Sequence, residues 1–106
     1  MATLSTHVLD TGAGRPAPGV TVVLESTVGE VIEMARTDAD GRVGSLGDDL
    51  APGDYRIRFD TGSWFADGGV EAFYPEVTVV FTIATDEHFH VPLLLSRYGY
   101  STYRGS

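Results

Sequence analysis

The sequence predicts an all-β fold, namely a two-sheet sandwich of seven or eight strands with one short helix. Glycine or proline interrupts the chain roughly every 8 to 12 residues, and the segments between favour β-branched and aromatic residues over helix formers. The chain has 106 residues, of which 42% are hydrophobic, the size of one domain with a modest core. We therefore expect residues 1–106 to form a single domain.

Five segments in the first 60 residues are predicted strands, each bounded by turn-forming residues. They are residues 4–9, 20–25, 31–37, the short segment 42–46, and 55–60. The last of these alternates cleanly, so we expect Tyr55, Ile57 and Phe59 to face the core and the charged residues between them to face water.

The pattern changes after residue 60. Ser63 could cap one or two helical turns that end at Gly68 and Gly69. The two most hydrophobic strands follow, at residues 76–83 and 89–95. Pro92 lies inside the second one and has no N–H to donate, which predicts an edge position, a bulge or a lost hydrogen bond near His90.

Composition excludes several classes of function. A net charge of −8 argues against nucleic acid or an anionic membrane as a partner. The absence of cysteine removes disulfides, thiolate catalysis and cysteine metal ligation. All seven basic residues are arginine, so Schiff-base chemistry through lysine is excluded. With no signal-peptide pattern and no membrane-spanning apolar run, we expect a soluble, cytoplasmic protein.

The three histidines, His7, His88 and His90, are the natural acid–base candidates, because only histidine has an ordinary pKa near physiological pH. His7 lies mid-strand, where a histidine on an exposed face and a site residue are equally plausible. His88 and His90 share a strand face if that strand includes His88. Of these two, His90 lies deeper in the strand, and His88 is expected to be solvated.

The carboxyl-terminal segment is the most specific feature of the sequence. Tyr98 and Tyr100 follow the core-strand signal of residues 93–95, so we expect the tail to be held in a sheet. With its Tyr103-Arg104-Gly105-Ser106 ending, the tail resembles that of 5-hydroxyisourate hydrolases, the enzymatic branch of the transthyretin family. The segments 37–42 and 50–57 are similar to a pattern shared by many prealbumin-like sandwiches. After the run Leu93-Leu94-Leu95-Ser96, where the family commonly has proline, this chain has Arg97.

The resemblance implies a transthyretin-like (prealbumin-like) β-sandwich that hydrolyses 5-hydroxyisourate to 2-oxo-4-hydroxy-4-carboxy-5-ureidoimidazoline in urate degradation, with no cofactor. It also implies a homotetramer whose sites line a channel between subunits. The family's active constellation falls on His7, Arg42 and His90. In this interpretation Arg42 binds the substrate and stabilises the oxyanion, while one histidine activates water and the other orients or protonates the substrate. The same resemblance assigns supporting roles to the tail: Tyr103 and Arg104 at the substrate, and Ser106 at a histidine or water.

Three alternatives stay open on the sequence. His7, His88 and His90 could offer three imidazoles to zinc, although no carboxylate or cysteine adds to a recognisable ligand spacing. A noncatalytic carrier of a small aromatic ligand would have the same fold but would lack His7, His90 and the terminal tetrapeptide. A structural or adhesion-type module is favoured only by the generic middle segments. A serine nucleophile is disfavoured because no Gly-x-Ser-x-Gly motif is present.

Overall fold

The computed structural model describes residues 2–105 and has two β-sheets packed face to face beside one short helix. Within these residues there are nine strands: β1 (Thr3–Asp10), β2 (Arg15–Pro16), β3 (Thr21–Ser26), β4 (Val31–Arg36), β5 (Arg42–Val43), β6 (Gly53–Phe59), β7 (Val77–Ile83), β8 (His88–Ser96) and β9 (Gly99–Thr102). The helix α1 spans Thr61–Asp67. The all-β sandwich is confirmed, and the additional strand is the two-residue β2, which was not among the predicted strands.

The first sheet carries the residues of interest. Its strand order is β2-β1-β8-β9, and β5 also pairs with β1. β1 and β8 are parallel, with Thr3 opposite His88 and Ser5 opposite His90, whereas β9 is antiparallel to β8. The tail is therefore held in a sheet, as predicted. The β8–β9 hairpin closes with Ser96 opposite Gly99, so Arg97 is accommodated in its turn.

The second sheet has the order β4-β3-β6-β7, and its neighbouring strands are antiparallel. Ile57 and Phe59 of β6 are fully buried, as their alternation predicts. Arg56 and Arg58 lie on the opposite face of β6, as predicted, with 32% and 30% of their side chains exposed, but the sequence did not indicate their partner. Both are half-buried and bind the carboxylate of the buried Glu25, at 3.2 and 3.4 Å.

The core lies between the two sheets, because alternate residues of each strand point inward. The inward residues of β1 and β8 are aliphatic or aromatic except for Thr6. Its hydroxyl is buried and donates to the carbonyl oxygen of Val91 at 2.6 Å, which satisfies this polar group. The alternate residues of β1 and β8, which include His7 and His90, point away from this core.

The helix α1 begins three residues earlier than the sequence suggested, because its cap is at residue 60 and not at residue 63. Asp60 is its N-cap residue, and Ser63 lies inside the first turn, where its hydroxyl donates to the carbonyl oxygen of Asp60 at 3.3 Å. The prediction of Ser63 as the cap is wrong, because the helix follows β6 directly. Within residues 2–105 the structure has no helix long and apolar enough to cross a membrane.

Pro92 interrupts one ladder of β8. Its pairing with β1 is continuous, so no bulge is present, and β9 on the other side means that β8 is not an edge. The β8–β9 ladder stops at Leu93 opposite Thr102 and resumes in the same register as a bridge between His90 and Gly105. The lost hydrogen bond near His90 is therefore confirmed. The Thr102 hydroxyl donates to the Pro92 carbonyl at 2.7 Å instead.

Candidate active site

The polar candidates converge on the outer face of the first sheet. In β1 the outward residues include Thr3, Ser5 and His7, and in β8 they include His88 and His90. The parallel register places the two rows side by side. β8 begins at His88, so the expectation that His88 and His90 share one face is confirmed.

A tight turn places Arg42 beside this row. The Asp38 carboxylate accepts hydrogen bonds from the backbone N–H groups of Asp40 and Arg42, at 2.9 and 3.0 Å, and these bonds lower the pKa of that carboxyl. Gly41 has a φ of 74°, and a Cβ there would lie 2.4 Å from the carbonyl oxygen of Val8, so only glycine allows the turn to dock on β1. The turn delivers Arg42, exposed, directly opposite His7.

His7 is half-buried and fixed by the same turn. Its Nε2 lies 2.9 Å from the backbone carbonyl oxygen of Asp40. A carbonyl oxygen only accepts, so Nε2 carries the proton, and in the neutral ring the lone pair is on Nδ1. His7 thus presents Nδ1 as its free nitrogen.

His90 is half-buried, and its Nδ1 lies 2.8 Å from the Ser5 hydroxyl. Burial lowers the pKa of His90, and the positive charge of Arg42 lowers it further, as do His7 and His88 in their protonated forms, while a hydrogen bond to the Ser5 backbone acts in the opposite direction. The ring is therefore neutral at pH 7, the state that a general base requires.

His88 has a role that the sequence did not indicate. Its ring is exposed, as expected, but both nitrogens have hydroxyl partners: Nδ1 lies 2.7 Å from Thr3 Oγ1 and Nε2 lies 2.9 Å from Ser5 Oγ. Ser5 therefore contacts both His88 and His90. Only the pairing register of β1 with β8 reveals these contacts, and no local sequence pattern encodes that register.

The tail reaches this site through Gly105. Its N–H donates to the carbonyl oxygen of His90 at 2.8 Å. A Cβ on Gly105 would lie 2.5 Å from Cδ2 of the His90 ring, which is closer than real Cβ contacts allow. From the sequence, Gly105 was identified only as part of a family motif. Its close approach to His90 explains why this position holds a residue without a side chain. Ser106 lies outside the described residues.

The side chains of Tyr103 and Arg104 lie away from the three central residues. The Arg104 guanidinium is 4.7 Å from the ring centre of Phe89 and pairs with Glu87. Phe89 points inward, to the opposite face of β8 from His90. Tyr103 and Arg104 line a cavity of about 320 Å³ at the open edges of the two sheets, together with Val79, Phe81, Thr82, Phe89, Val91 and Thr102. Within one chain, the structure therefore does not bring these two side chains together with His7, Arg42 and His90.

The three-imidazole zinc interpretation has no matching geometry. Among residues 2–105, no group of three or more histidine, cysteine, aspartate or glutamate side chains is arranged to hold a metal ion. His88 and His90 instead share the Ser5 hydroxyl, and His7 binds a backbone carbonyl. The arrangement offers a neutral imidazole, a second imidazole of fixed tautomer and an exposed guanidinium, which suits acid–base chemistry on a substrate with developing negative charge.

Comparisons with known proteins agree with this fold. The solved structure of 5-hydroxyisourate hydrolase from Klebsiella pneumoniae superposes with a TM-score of 0.93 at 43% identity, and the match covers 100% of this chain and 94% of that one. Transthyretin from Sparus aurata gives a TM-score of 0.88 at 29% identity, covering 96% and 95% of the two chains. The expected transthyretin-like sandwich is confirmed.

Relatives in sequence also support membership of this family. The 5-hydroxyisourate hydrolase of Salmonella typhimurium is 51% identical over 97% of this chain and 80% of the relative. The mouse 5-hydroxyisourate hydrolase is 45% identical over 97% of this chain and 94% of the relative. The family model described as HIUase/Transthyretin family matches residues 4–105. The chain therefore belongs to the HIUase/transthyretin family.

Proposed function

We propose that this protein is an enzyme that hydrolyses 5-hydroxyisourate in urate degradation and opens its six-membered ring at a lactam. The observation that carries the proposal is the convergence of His7, Arg42 and His90 on one sheet face, in a chain whose relatives of 41–51% identity are named as hydrolases of this compound. Amide hydrolysis needs a base for water, a stabiliser for the oxyanion and a proton for the departing nitrogen.

His90 is the proposed general base. Its lowered pKa keeps the ring neutral, and Ser5 occupies Nδ1, so Nε2 is the nitrogen that takes a proton from the attacking water. The hydroxide adds to the lactam carbonyl carbon, and negative charge develops on its oxygen. When the C–N bond breaks, the His90 imidazolium returns the proton to the departing nitrogen, so the proton count closes.

Arg42 is the proposed oxyanion stabiliser. Its guanidinium is exposed at the end of the Asp38 to Gly41 turn, and the charge is permanent at neutral pH. His7 lies opposite Arg42 and orients the ring of the substrate through Nδ1, the nitrogen that the Asp40 carbonyl leaves free. Both groups are held by the same turn, which fixes their spacing.

For the tail we propose a supporting role. Arg104 binds Glu87 and Phe89, and these contacts hold the segment that places Gly105 against His90. Direct contact of Tyr103 or Arg104 with the substrate stays a prediction, as does hydrogen bonding by Ser106. The cytoplasmic location also stays a prediction.

We also propose that the chain forms a homotetramer. β7 and β9 are edge strands, and the lining of the cavity between them includes the apolar side chains of Val79, Phe81, Phe89 and Val91. Tyr98 is 63% exposed and Tyr100 44% exposed, at the same end of the first sheet. Unpaired edges beside exposed aromatic side chains are surfaces that association would cover. Light scattering at micromolar concentration tests this, and a strictly monomeric species would contradict it.

The decay of freshly generated 5-hydroxyisourate, followed by ultraviolet absorbance with and without the protein, tests the function. We expect decay to accelerate in proportion to protein concentration and to return to the uncatalysed rate with the His90→Ala variant. The carrier alternative predicts the opposite, namely stoichiometric binding of a small aromatic ligand with no change in the decay. Its support is the likeness to transthyretin from Sparus aurata.

A further inference from the structure

A continuous row of hydrogen bonds crosses the outer face of the first sheet and ends at His90. Thr3 Oγ1 lies 2.7 Å from His88 Nδ1, His88 Nε2 lies 2.9 Å from Ser5 Oγ, and Ser5 Oγ lies 2.8 Å from His90 Nδ1. The register of β1 with β8 builds this row, because it sets Thr3 opposite His88 and Ser5 opposite His90. His88 and Ser5 have no place in the steps described above.

The single proton on the Ser5 hydroxyl couples the two rings. The hydroxyl can donate to only one imidazole nitrogen, so the other nitrogen must donate to it. A neutral imidazole has one N–H and one acceptor nitrogen, so the choice at Ser5 sets the tautomer of both His88 and His90. The row therefore has two self-consistent directions.

The proposed reaction selects the direction. Ser5 Oγ is the partner of His90 Nδ1, so Nε2 is the nitrogen that is left to take a proton from water. A lone pair on Nε2 of the neutral ring requires the proton on Nδ1. His90 then donates to Ser5 Oγ, the Ser5 hydroxyl donates to His88 Nε2, and His88 donates from Nδ1 to Thr3. Exposed Thr3 ends the row at solvent.

We propose that Ser5 and His88 are positioning residues that hold His90 in the tautomer with its lone pair on Nε2, ready to accept a proton from water. The inference rests on the proposed function for its catalytic meaning, because it explains why His90 acts as the base. His88 acts only through Ser5, and it supplies the acceptor that orients the Ser5 hydroxyl away from His90. When His90 becomes an imidazolium, the same oxygen still accepts from Nδ1.

Nitrogen-15 NMR of the substrate-free protein tests the tautomer directly. We expect wild-type His90 to be protonated on Nδ1, and we expect Ser5→Ala and His88→Ala to shift population toward the Nε2-protonated form. Ser5→Thr keeps the hydroxyl and should preserve the wild-type signature. Wild-type His90 protonated mainly on Nε2, or a tautomer ratio that neither alanine variant changes, would overturn the proposal. His88 is exposed, so His88→Ala keeps the test valid if Ser5→Ala folds poorly.

Kinetics give the second readout. Ser5→Ala should lower kcat by about tenfold with little change in KM, the loss that corresponds to one hydrogen bond, and Ser5→Thr should restore most of it. The Ser5→Ala/His88→Ala double variant should be no slower than Ser5→Ala alone, because His88 acts through Ser5. If the fold-losses in kcat of the two single variants multiply in the double variant, His88 does not act through Ser5. Ser63→Ala, which removes a hydroxyl that also makes one hydrogen bond on α1, is the matched control.

The two readouts separate this inference from the function itself. If the wild-type protein leaves the decay of 5-hydroxyisourate unchanged, the proposed function fails. The NMR experiment still decides whether Ser5 and His88 set the tautomer of His90.

Discussion

Gly105 lies directly against the imidazole ring of His90. The Gly105 N–H donates to the carbonyl oxygen of His90 at 2.8 Å, and its Cα leaves no room for a side chain, since a Cβ would come within 2.5 Å of Cδ2. The tail therefore has two effects on this residue, because it fixes the His90 backbone and limits the ring on one side. This contact explains why the terminal tetrapeptide contains a glycine at position 105.

The Gly105→Ala variant should lose at least about tenfold in kcat/KM while the melting temperature changes little. The added methyl must displace either the ring or the tail, and a small misplacement of a catalytic group is costly. Gly99→Ala is the matched control in the same strand region, because its Cβ would make only an ordinary contact, 3.7 Å from Ser96 Oγ. Equal activity of the two variants would show that the close approach has no functional weight.

Replacing the three central residues tests the assigned chemistry. His7→Ala, Arg42→Ala and His90→Ala should each reduce turnover by at least about a hundredfold, the lower range for loss of one acid–base or oxyanion group. All three side chains point outward from the sheet, so the fold should be retained, as circular dichroism can verify. His88→Ala should cost much less. Near-normal kinetics for His90→Ala with a collapse for His88→Ala would mean that the wrong histidine is assigned as the base.

The pH dependence follows from the environment of His90. Burial and the charge of Arg42 lower its pKa, so the acid limb of kcat/KM should lie below pH 6.5, the ordinary value. Arg42→Gln removes this charge and should raise the pKa of His90, which an NMR titration of the ring can follow. An unchanged pKa in that variant would show that Arg42 does not act on His90 electrostatically.

Local patterns in the sequence predict the strands well. The alternation in β6 identified the buried Ile57 and Phe59, and the missing N–H of Pro92 correctly indicated an interrupted ladder. Contacts were missed where a partner lies far along the chain. Arg56 and Arg58 were expected to face water, yet Glu25 of β3 binds both of them.

The site itself required more than local pattern. His7, Arg42 and His90 were selected through the family resemblance, because nothing in their spacing shows that β1 and β8 pair in parallel or that β5 joins β1. Ser5 was missed for the same reason, since an outward serine in a strand has no signal of its own. Register is a long-range property, and only the fold reveals which hydroxyl meets which imidazole.

Metal removal distinguishes the acid–base mechanism from the zinc alternative. Treatment with EDTA followed by desalting should leave the rate of 5-hydroxyisourate hydrolysis intact, because His7 and His90 have hydrogen-bond partners that fix them without a shared ion. Activity that disappears after chelation and returns with added zinc would place the three imidazoles at a metal instead. A mock-treated sample is the control.

The truncation that removes residues 103–106 tests the tail as a whole. It deletes the Gly105 contact with His90 and the Arg104 pairing with Glu87. It spares β9, which ends at Thr102 and is held to β8 by its own ladder, and it spares the buried residues of β8.

The fold and the assembly should therefore survive while hydrolysis is largely lost, because His90 would lose the neighbour that limits its ring. Size-exclusion chromatography with light scattering and the absorbance assay measure the two outcomes. The Glu87→Gln variant weakens an exposed ion pair but leaves Gly105 and the contact of Arg104 with Phe89 in place, so it should keep most of the activity and is the matched control. A truncated protein that assembles and hydrolyses 5-hydroxyisourate at the full-length rate would reduce the terminal tetrapeptide to a family marker with no part in the reaction.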